Sequence, residues 1–548
     1  MDIDIVSVHQ RFAATAAVHP DADCLWVDAV TAQNYGIPAG GIRWSAAQVE
    51  VAALKSAYEA AGYGHGHRVA LLLENRPAFL FHWLALNALG CSVVPLHADL
   101  RAAELEYLLG HSESALAVAL GGRVGDLKDA ARAAGRDCAV IAHEDVSVRK
   151  LPQAAGTAPA SGQPIGPATE CALLYTSGTT GRPKGCRVSN DYFLRAGRWY
   201  ARLDGVCSVR PHQERVVTPL PLNHVNAMAF STMVVWTAGG CLVQLDRFHP
   251  GTWWESVRAS GATILHYLGV MPAMLLAAPV DPRDREHQVR WAFGAGVDKR
   301  NHGAFEERFG IPLIEAWAMT ETGAAACIMA NHEPRHVGTY CFGRPESFVQ
   351  LRLVDDAGHD VPAGDAGELL VRSNGSDPRA GFFSGYLKDE AATEEVWFGG
   401  WFHTGDVVRA DAEGLLYFVD RKKNVIRRSG ENISALEVES VLNQHPAVKT
   451  AAVAATPDRV RGDEVMACIV PREPIPPPQQ AAMARSIVEH ALSRLAYYKA
   501  PGYVAFVDGV PLTVSNKIQR GELKELARTL AGQPQCVDTR AMKKRTAA

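Results

Sequence analysis

At 548 residues, with 47% hydrophobic and 21% charged side chains, the chain is too long for one ordinary domain and has the usage of a soluble globular protein. A formal net charge of −4 excludes a general nucleic-acid binder, which would carry a strong basic bias. Eleven cysteines without a C-x-x-C pair disfavour a structural zinc site or a disulfide framework, and fit reduced thiols in the cytoplasm.

No basic region leads into an apolar run after Met1-Asp2-Ile3-Asp4, so no signal peptide is expected. Residues 68–96 read as strand (Arg68 to Leu73), helix (Pro77 to Leu89) and strand (Cys91 to Leu96), a βαβ unit whose apolar strands suit a sheet covered on both faces. The same alternation returns at 214–245 and 262–294. Residues 216–245 lack Lys, Arg, Asp and Glu, yet Pro219, Pro221 and Gly239-Gly240 cut the run too short for a membrane span. A buried helix at about 225–238 and a strand from Cys241 to Leu245 explain it better. A Gly/Pro/Ala/Ser-rich loop, Ala154 to Ala168, precedes the strand Cys171 to Tyr175.

From about residue 350 short alternating strands and turns take over, as in Leu351 to Val354 before Asp355-Asp356-Ala357-Gly358. Beyond the charged run Asp420-Arg421-Lys422-Lys423, a smaller α+β unit is expected. It comprises a helix at 435–443, strands at 448–454 and 465–470, a proline-rich loop (Pro474 to Pro478) and a helix at 480–496. The terminal basic cluster Arg540, Lys543, Lys544 and Arg545 reads as a solvated, frayed tail.

Residues 175–185 read Y-T-S-G-T-T-G-R-P-K-G. Gly178, Gly181 and Gly185 let the backbone approach a polyphosphate closely; Thr176, Ser177, Thr179 and Thr180 add hydroxyl donors, and Lys184 a positive charge. No Ser or Thr follows the lysine, so this is not a Walker A loop, and no G-x-G-x-x-G fingerprint follows the first strand.

The segment resembles the phosphate-binding signature of the adenylate-forming superfamily: acyl-CoA synthetases, peptide-synthetase adenylation domains and luciferases. The resemblance continues in order through P-L-P-L-N-H (219–224), Phe293-Gly294-Ala295-Gly296, Ala316-Trp317-Ala318-Met319-Thr320-Glu321-Thr322, Thr404-Gly405-Asp406, the run Asp420 to Glu439, and Pro511 to Ile518. The wording F-V-D-R-K-K-N-V-I-R-R-S-G-E-N-I-S is most similar to crotonobetaine/carnitine-CoA ligases. The implied fold is α/β: a large N-terminal adenylate-forming domain of stacked sheets and helices (1–421) and a small mobile α+β C-terminal domain (422–548). The hinge is expected near Lys423, the tail from about 533, and the active site where the domains meet.

The implied reaction joins a carboxylic acid to coenzyme A through an acyl-AMP, with ATP and Mg²⁺ as cofactors. By resemblance, Thr176 to Lys184 cradle the β and γ phosphates, Glu321 holds Mg²⁺, Thr320 contacts the α-phosphate, and Gly294, Ala295, Gly296, Ala316 and Trp317 line the adenine site. Asp406 takes the ribose hydroxyls with Arg421 beside it, and Lys517 bridges carboxylate and phosphate during adenylation. His224, Asn226, Met228, Tyr267 and Ala318 are the expected acyl pocket, and Ser429, Gly430 and Glu431 the expected CoA contacts. Asn190, Asn516 and Ala318 depart from the family's usual His, Gly and Gly, without removing a charged catalytic group. Two alternatives stay open: delivery of the acyl group to a carrier protein, and non-catalytic nucleotide binding. The identity of the acid and the oligomeric state, a homo-oligomer included, are not legible.

Overall fold

The computed structural model describes residues 5–146, 150–154, 164–176, 183–422, 424–428, 431–458, 462–495, 497–512 and 517–543. The chain divides into two compact units. One comprises Met1–Ser177, Pro183–Leu351 and Val371–Phe402; the other Gly178–Arg182, Arg352–Leu370 and His403–Ala548.

The first unit is built on two large sheets. In one, the strands Ala139–Ala142, Leu116–Ala119, Arg68–Leu72, Ser92–Pro95 and Glu170–Thr176 lie side by side, and Lys184–Ser189 closes the edge as an antiparallel hairpin. Successive residues Val69, Ala70 and Leu71 are all fully buried. Neighbours along a strand point to opposite faces, so both faces of this sheet are covered, as the unbroken apolar run requires. In the other sheet, Asp23–Val27, Cys241–Gln244, Arg215–Thr218, Ile264–Leu268, Trp291–Ala295 and Leu313–Trp317 run parallel, flanked by the antiparallel strands Gly40–Arg43 and Ile328–Met329.

The uncharged stretch 216–245 folds as strand, helix and strand. Its helix opens with a π-helical turn, Asn226–Ser231, and continues as the α-helix Thr232–Ala238. The hydroxyls of Ser231 and Thr232 reach back five residues to the carbonyls of Asn226 and Ala227 (3.3 and 2.8 Å), which suits the wide turn. Gly239, at φ +82°, ends the helix in the left-handed region. No described helix is long and apolar enough to cross a membrane.

In the second unit the strands Val448–Asp458 and Gly462–Pro471 pair antiparallel and carry a core on each face. Val453, Val465, Ala467 and Ile469 pack on one side, beside the helices Ala435–Leu442 and Pro477–Leu492. Ala452, Ala454, Met466 and Cys468 pack on the other, with Leu523 and Ala527 of the helix Arg520–Leu530. Here the period-two alternation of a strand builds two cores from one hairpin.

Two expectations need correction. The second helix starts inside the proline-rich loop, because Pro477 occupies its first turn, where a missing N–H costs nothing. The C-terminal tail is not frayed as far as Lys543. Lys543 is buried with Nζ 2.5 Å from Glu464, which also meets Arg428 at 2.9 Å. Arg540 pairs with Asp538 and Asp458. A carboxylate as buried as Glu464 needs cations around it, and the tail supplies one. Lys544 and Arg545 lie outside the described residues.

Candidate active site

The parallel strands Arg215–Thr218, Ile264–Leu268, Trp291–Ala295 and Leu313–Trp317 end on one edge of their sheet, the carboxyl edge where open α/β sheets take ligands. The segments that follow them are the P-L-P-L-N-H box, Gly269, Gly296 and the Ala318 to Glu321 run. Crossing chains come very close here. A Cβ on Gly269 would lie 1.7 Å from the Gly296 carbonyl oxygen, and one on Gly294 would lie 2.4 Å from the Tyr267 carbonyl oxygen. Gly296 itself has φ +78° and open space beside it. A buried carboxylate organises the turn: Glu315 accepts from the backbone N–H of Gly296 (3.0 Å) and Val297 (3.2 Å) and from the Tyr267 hydroxyl (2.8 Å). Burial raises the Glu315 pKa above the usual carboxylate value, against the pull of these donors. Ala295 and Gly296 are exposed, Gly294 is buried, Ala316 half-buried, and Trp317 is 6% exposed with its ring 6.3 Å from Phe342.

The strands Glu170–Thr176 and Lys184–Ser189 pair so that Thr176 faces Lys184 across the hairpin. Ser177, Gly178, Thr179, Thr180 and Gly181 lie outside the described residues. The Lys184 ammonium sits 3.9 Å from Asp389 and 4.8 Å from the centre of the Tyr386 ring. The Tyr386 hydroxyl donates to Glu321 Oε1 at 2.8 Å, and the Glu321 carbonyl accepts from Phe383 N–H at 2.9 Å. One aromatic ring therefore joins the lysine to the carboxylate, 137 positions apart in the chain (321 − 184). Burial and then the Glu321 charge push the Tyr386 phenol far up, so it stays a donor. Thr320, half-buried, accepts from the Tyr192 hydroxyl through its carbonyl (2.9 Å). Tyr386 was not among the sequence candidates; within Gly385-Tyr386-Leu387 no spacing distinguishes it from a core tyrosine.

The expected acyl-pocket residues differ in burial and in partners. His224 is exposed, Met228 is fully buried, and Asn226 and Ala318 are half-buried. Tyr267 points to the opposite face of its strand from His266, and its hydroxyl is committed to Glu315 and to the Ile314 carbonyl. The side chain that meets Asn226 is His266: Nδ1 is 2.5 Å from Asn226 Oδ1 and 2.9 Å from Ser231 Oγ, and Nε2 is 2.8 Å from the Tyr200 hydroxyl. Burial pushes the His266 imidazole down to about 3.

In the second unit, Asp406 and Arg421 are direct partners across the antiparallel pair Phe402–Ala410 and Leu416–Arg421. Arg421 Nε lies 2.7 Å from Asp406 Oδ1; the aspartate is 1% exposed and the arginine side chain 47% exposed, so the cation is the half that a ligand can reach. Asp420 is fully buried. It accepts from Arg421 N–H (2.7 Å), the Ser434 hydroxyl (3.0 Å) and Leu436 N–H (3.2 Å), tying the strand end to the start of the helix Ala435–Leu442. Withdrawal from water and then the Arg421 charge hold Lys517 below the usual lysine range. Lys423, Ser429, Gly430 and Asn516 lie outside the described residues; Glu431 begins a short strand, Glu431–Ile433.

Residues 12–387 match the family model for AMP-binding enzymes, and residues 437–517 the model for the AMP-binding enzyme C-terminal domain. Crotonobetaine/carnitine–CoA ligases from Shigella flexneri and from Escherichia coli O8 are 28% identical over 475 residues, 84% of this chain and 89% of each relative. Among solved structures, an anthranilate CoA ligase in complex with anthranoyl-AMP covers 97% of this chain and 99% of its own, at 23% identity and a TM-score of 0.79. The Bacillus subtilis o-succinylbenzoate CoA synthetase with its acyl-adenylate intermediate covers 94% and 97%, at 23% identity and a TM-score of 0.77. Their fold is the one described above: mixed α/β, with a large N-terminal and a smaller C-terminal domain. The chain belongs to the AMP-binding enzyme family and is an ATP-dependent, adenylate-forming enzyme of the acyl-CoA synthetase branch.

Proposed function

We propose that this enzyme activates a small carboxylic acid as its acyl-AMP and then transfers the acyl group to free coenzyme A, releasing AMP and pyrophosphate. The observation that carries the reading is the Lys184–Tyr386–Glu321 cluster, in which one ring joins a cation suited to a polyphosphate and a carboxylate suited to a hard metal ion. Among the described residues no three metal-ligating side chains converge, so a magnesium ion on Glu321 would need the nucleotide's own oxygens to complete its shell. When bound, that ion would neutralise charge developing on the phosphates.

The chain's own groups divide the remaining work. Tyr386 keeps Glu321 oriented, and Lys184 offers its charge to the β and γ phosphates. Glu315 holds the Gly294–Gly296 turn open for a flat base beside Trp317. Asp406 and Arg421 offer an acceptor and a donor to the ribose. Lys517, with its pKa lowered, serves the carboxylate and α-phosphate during adenylation, and a rotation about Lys423 then brings Gly430 and its neighbours into play for the thiol. The acceptor is free CoA rather than a carrier protein, in keeping with the relatives' names. A cytoplasmic location fits eleven cysteines that are all free thiols.

The test is ATP–pyrophosphate exchange over an acid panel with Mg²⁺, followed by acyl-thioester formation with CoA or with a carrier protein bearing phosphopantetheine. Acid-dependent exchange and CoA-dependent AMP release are expected. Absence of exchange with every acid would overturn the reading, and transfer to the carrier alone would overturn its second half.

A further inference from the structure

The helix that follows the P-L-P-L-N-H box begins with a π-helical turn, and its first residue, Asn226, is held by a chain of buried polar groups. Tyr200 and His266 are both fully buried, and the chain runs Tyr200 hydroxyl, His266 Nε2 (2.8 Å), His266 Nδ1, Asn226 Oδ1 (2.5 Å). Directions follow from the chemistry of each atom. A carboxamide oxygen only accepts, so Nδ1 carries the imidazole proton; Nε2 is then an acceptor, and the Tyr200 hydroxyl donates to it. The Ser231 hydroxyl, 2.9 Å from Nδ1, donates onward to the Asn226 carbonyl at 3.3 Å. Among the described residues, the rings packed on the imidazole are uncharged: Tyr200 stacks on it at 5.7 Å, and Phe293 lies at 5.1 Å with Phe230 beyond.

This chain uses up the oxygen of the Asn226 amide and leaves its nitrogen. Among the described residues the hydrogen bonds of Asn226 run through its amide oxygen and its backbone carbonyl, and the residue is half-buried rather than sealed in. Asn226 follows the strand Arg215–Thr218 at the carboxyl edge of the sheet, where its amide nitrogen is placed to meet an acceptor from outside the chain.

We infer that Asn226, oriented by Tyr200 and His266, donates a hydrogen bond to an uncharged oxygen on the acyl portion of the substrate, making the preferred acid a hydroxy, keto or alkoxy acid. The inference rests on the acyl-CoA ligase reading and specifies its substrate class. Toward a quaternary ammonium the amide would present N–H rather than an acceptor, and among the described residues no carboxylate is hydrogen-bonded to Asn226 or His266. A plain hydrocarbon acid would leave the amide donor unmatched.

The experiment measures kcat/KM for pyrophosphate exchange on the full chain. It uses hydrocarbon acids, their hydroxy, keto and methoxy counterparts substituted at successive carbons, and 4-trimethylammoniobutanoate. Wild type is expected to favour an oxygen-bearing acid over its hydrocarbon parent by about 10- to 100-fold. Asn226→Asp keeps the oxygen facing His266 and replaces the donors by an acceptor; with Asn226→Leu, it should collapse that ratio to near one. His266→Phe keeps an aromatic ring but frees the amide, and should lower the ratio by an intermediate amount while thermal unfolding reports any structural damage. Preference for hydrocarbon or quaternary-ammonium acids, or a ratio that survives Asn226→Asp and Asn226→Leu, would overturn the inference while leaving the ligase reading intact. Failure of exchange with every acid would remove both.

Discussion

The Tyr267 hydroxyl donates to Glu315 Oε1 at 2.8 Å, and through this carboxylate, two strands away, the strand Ile264–Leu268 braces the turn that follows its immediate neighbour. The same carboxylate receives the N–H groups of Gly296 and Val297, so the turn proposed to flank adenine is held from beneath, not by its own residues. Glu315→Ala would strand two backbone donors and a phenol, each costing about 1–3 kcal/mol when buried without a partner. The expected result is a loss of about 3 kcal/mol or more in urea unfolding, with KM for ATP raised more than KM for the acid. Equal effects on both constants would show that the brace serves the fold generally rather than the nucleotide turn.

Tyr386→Phe is a narrower change. It keeps the ring that Lys184 covers and removes only the hydroxyl that orients Glu321. Hydrogen bonds to charged groups contribute about 1.5–3 kcal/mol, so the Mg²⁺ concentration giving half-maximal pyrophosphate exchange should rise about tenfold or more. A magnesium titration identical to wild type would detach Tyr386 from the metal role.

In the proposed two-step reaction Lys517 serves adenylation and not thioester formation. Lys517→Ala should slow acyl-AMP formation by about 10²–10³ yet still convert pre-made acyl-AMP to thioester. Proline fixes φ near −65°, so Lys423→Pro should retain pyrophosphate exchange and lose most acyl-CoA production, while Lys423→Ala supports both. Normal CoA turnover by Lys423→Pro would move the pivot elsewhere.

Lys543 is the tail's anchor. Its ammonium is completely buried against Glu464, and removing one partner of a buried pair typically costs about 3–5 kcal/mol. Lys543→Ala should therefore lower the unfolding free energy of the C-terminal unit by about 3 kcal/mol, measured by urea denaturation. A change below about 0.5 kcal/mol would return the tail to the surface role its composition suggests.

Two buried imidazoles set an acid limit. His82, hydrogen-bonded to the Tyr58 hydroxyl at 2.7 Å, and His266 both titrate near 3, chiefly because burial disfavours the cation. Below about pH 6.5 the unfolded chain takes up protons that the folded chain refuses, so stability falls with falling pH until about pH 3. Each residue contributes up to about 1.4 kcal/mol per pH unit in that window. His266→Phe should reduce the slope of unfolding free energy against pH between 6 and 4.5 by about one proton. An unchanged slope would mean that His266 is protonated in the folded protein.

The elements were largely legible because their causes are local. The run Val69 to Leu72, the Gly239 helix stop and the alternation in Val448–Asp458 each encode a period or a backbone requirement in adjacent residues. Pro477 opens a helix rather than extending a loop: proline suits both loops and first helical turns, and only the chain beyond it decides which. The family was legible for a related reason: polyphosphate binding draws on glycines, hydroxyls and a lysine in one short segment, and ordered boxes repeat that signal along the chain.

What the sequence by itself determined, then, is whatever contiguous residues specify: the α/β class, the ordered boxes of the family, and the adenylate-forming reaction. The tertiary structure decided which side chains converge. Strand neighbours face opposite ways, so it took the folded sheet to put His266, not Tyr267, against Asn226. It likewise took a crossing segment to place Tyr386 between Lys184 and Glu321, and a buried carboxylate to draw Lys543 inward. Each of these contacts joins residues tens to hundreds of positions apart, and neither propensity nor spacing carries information across such distances.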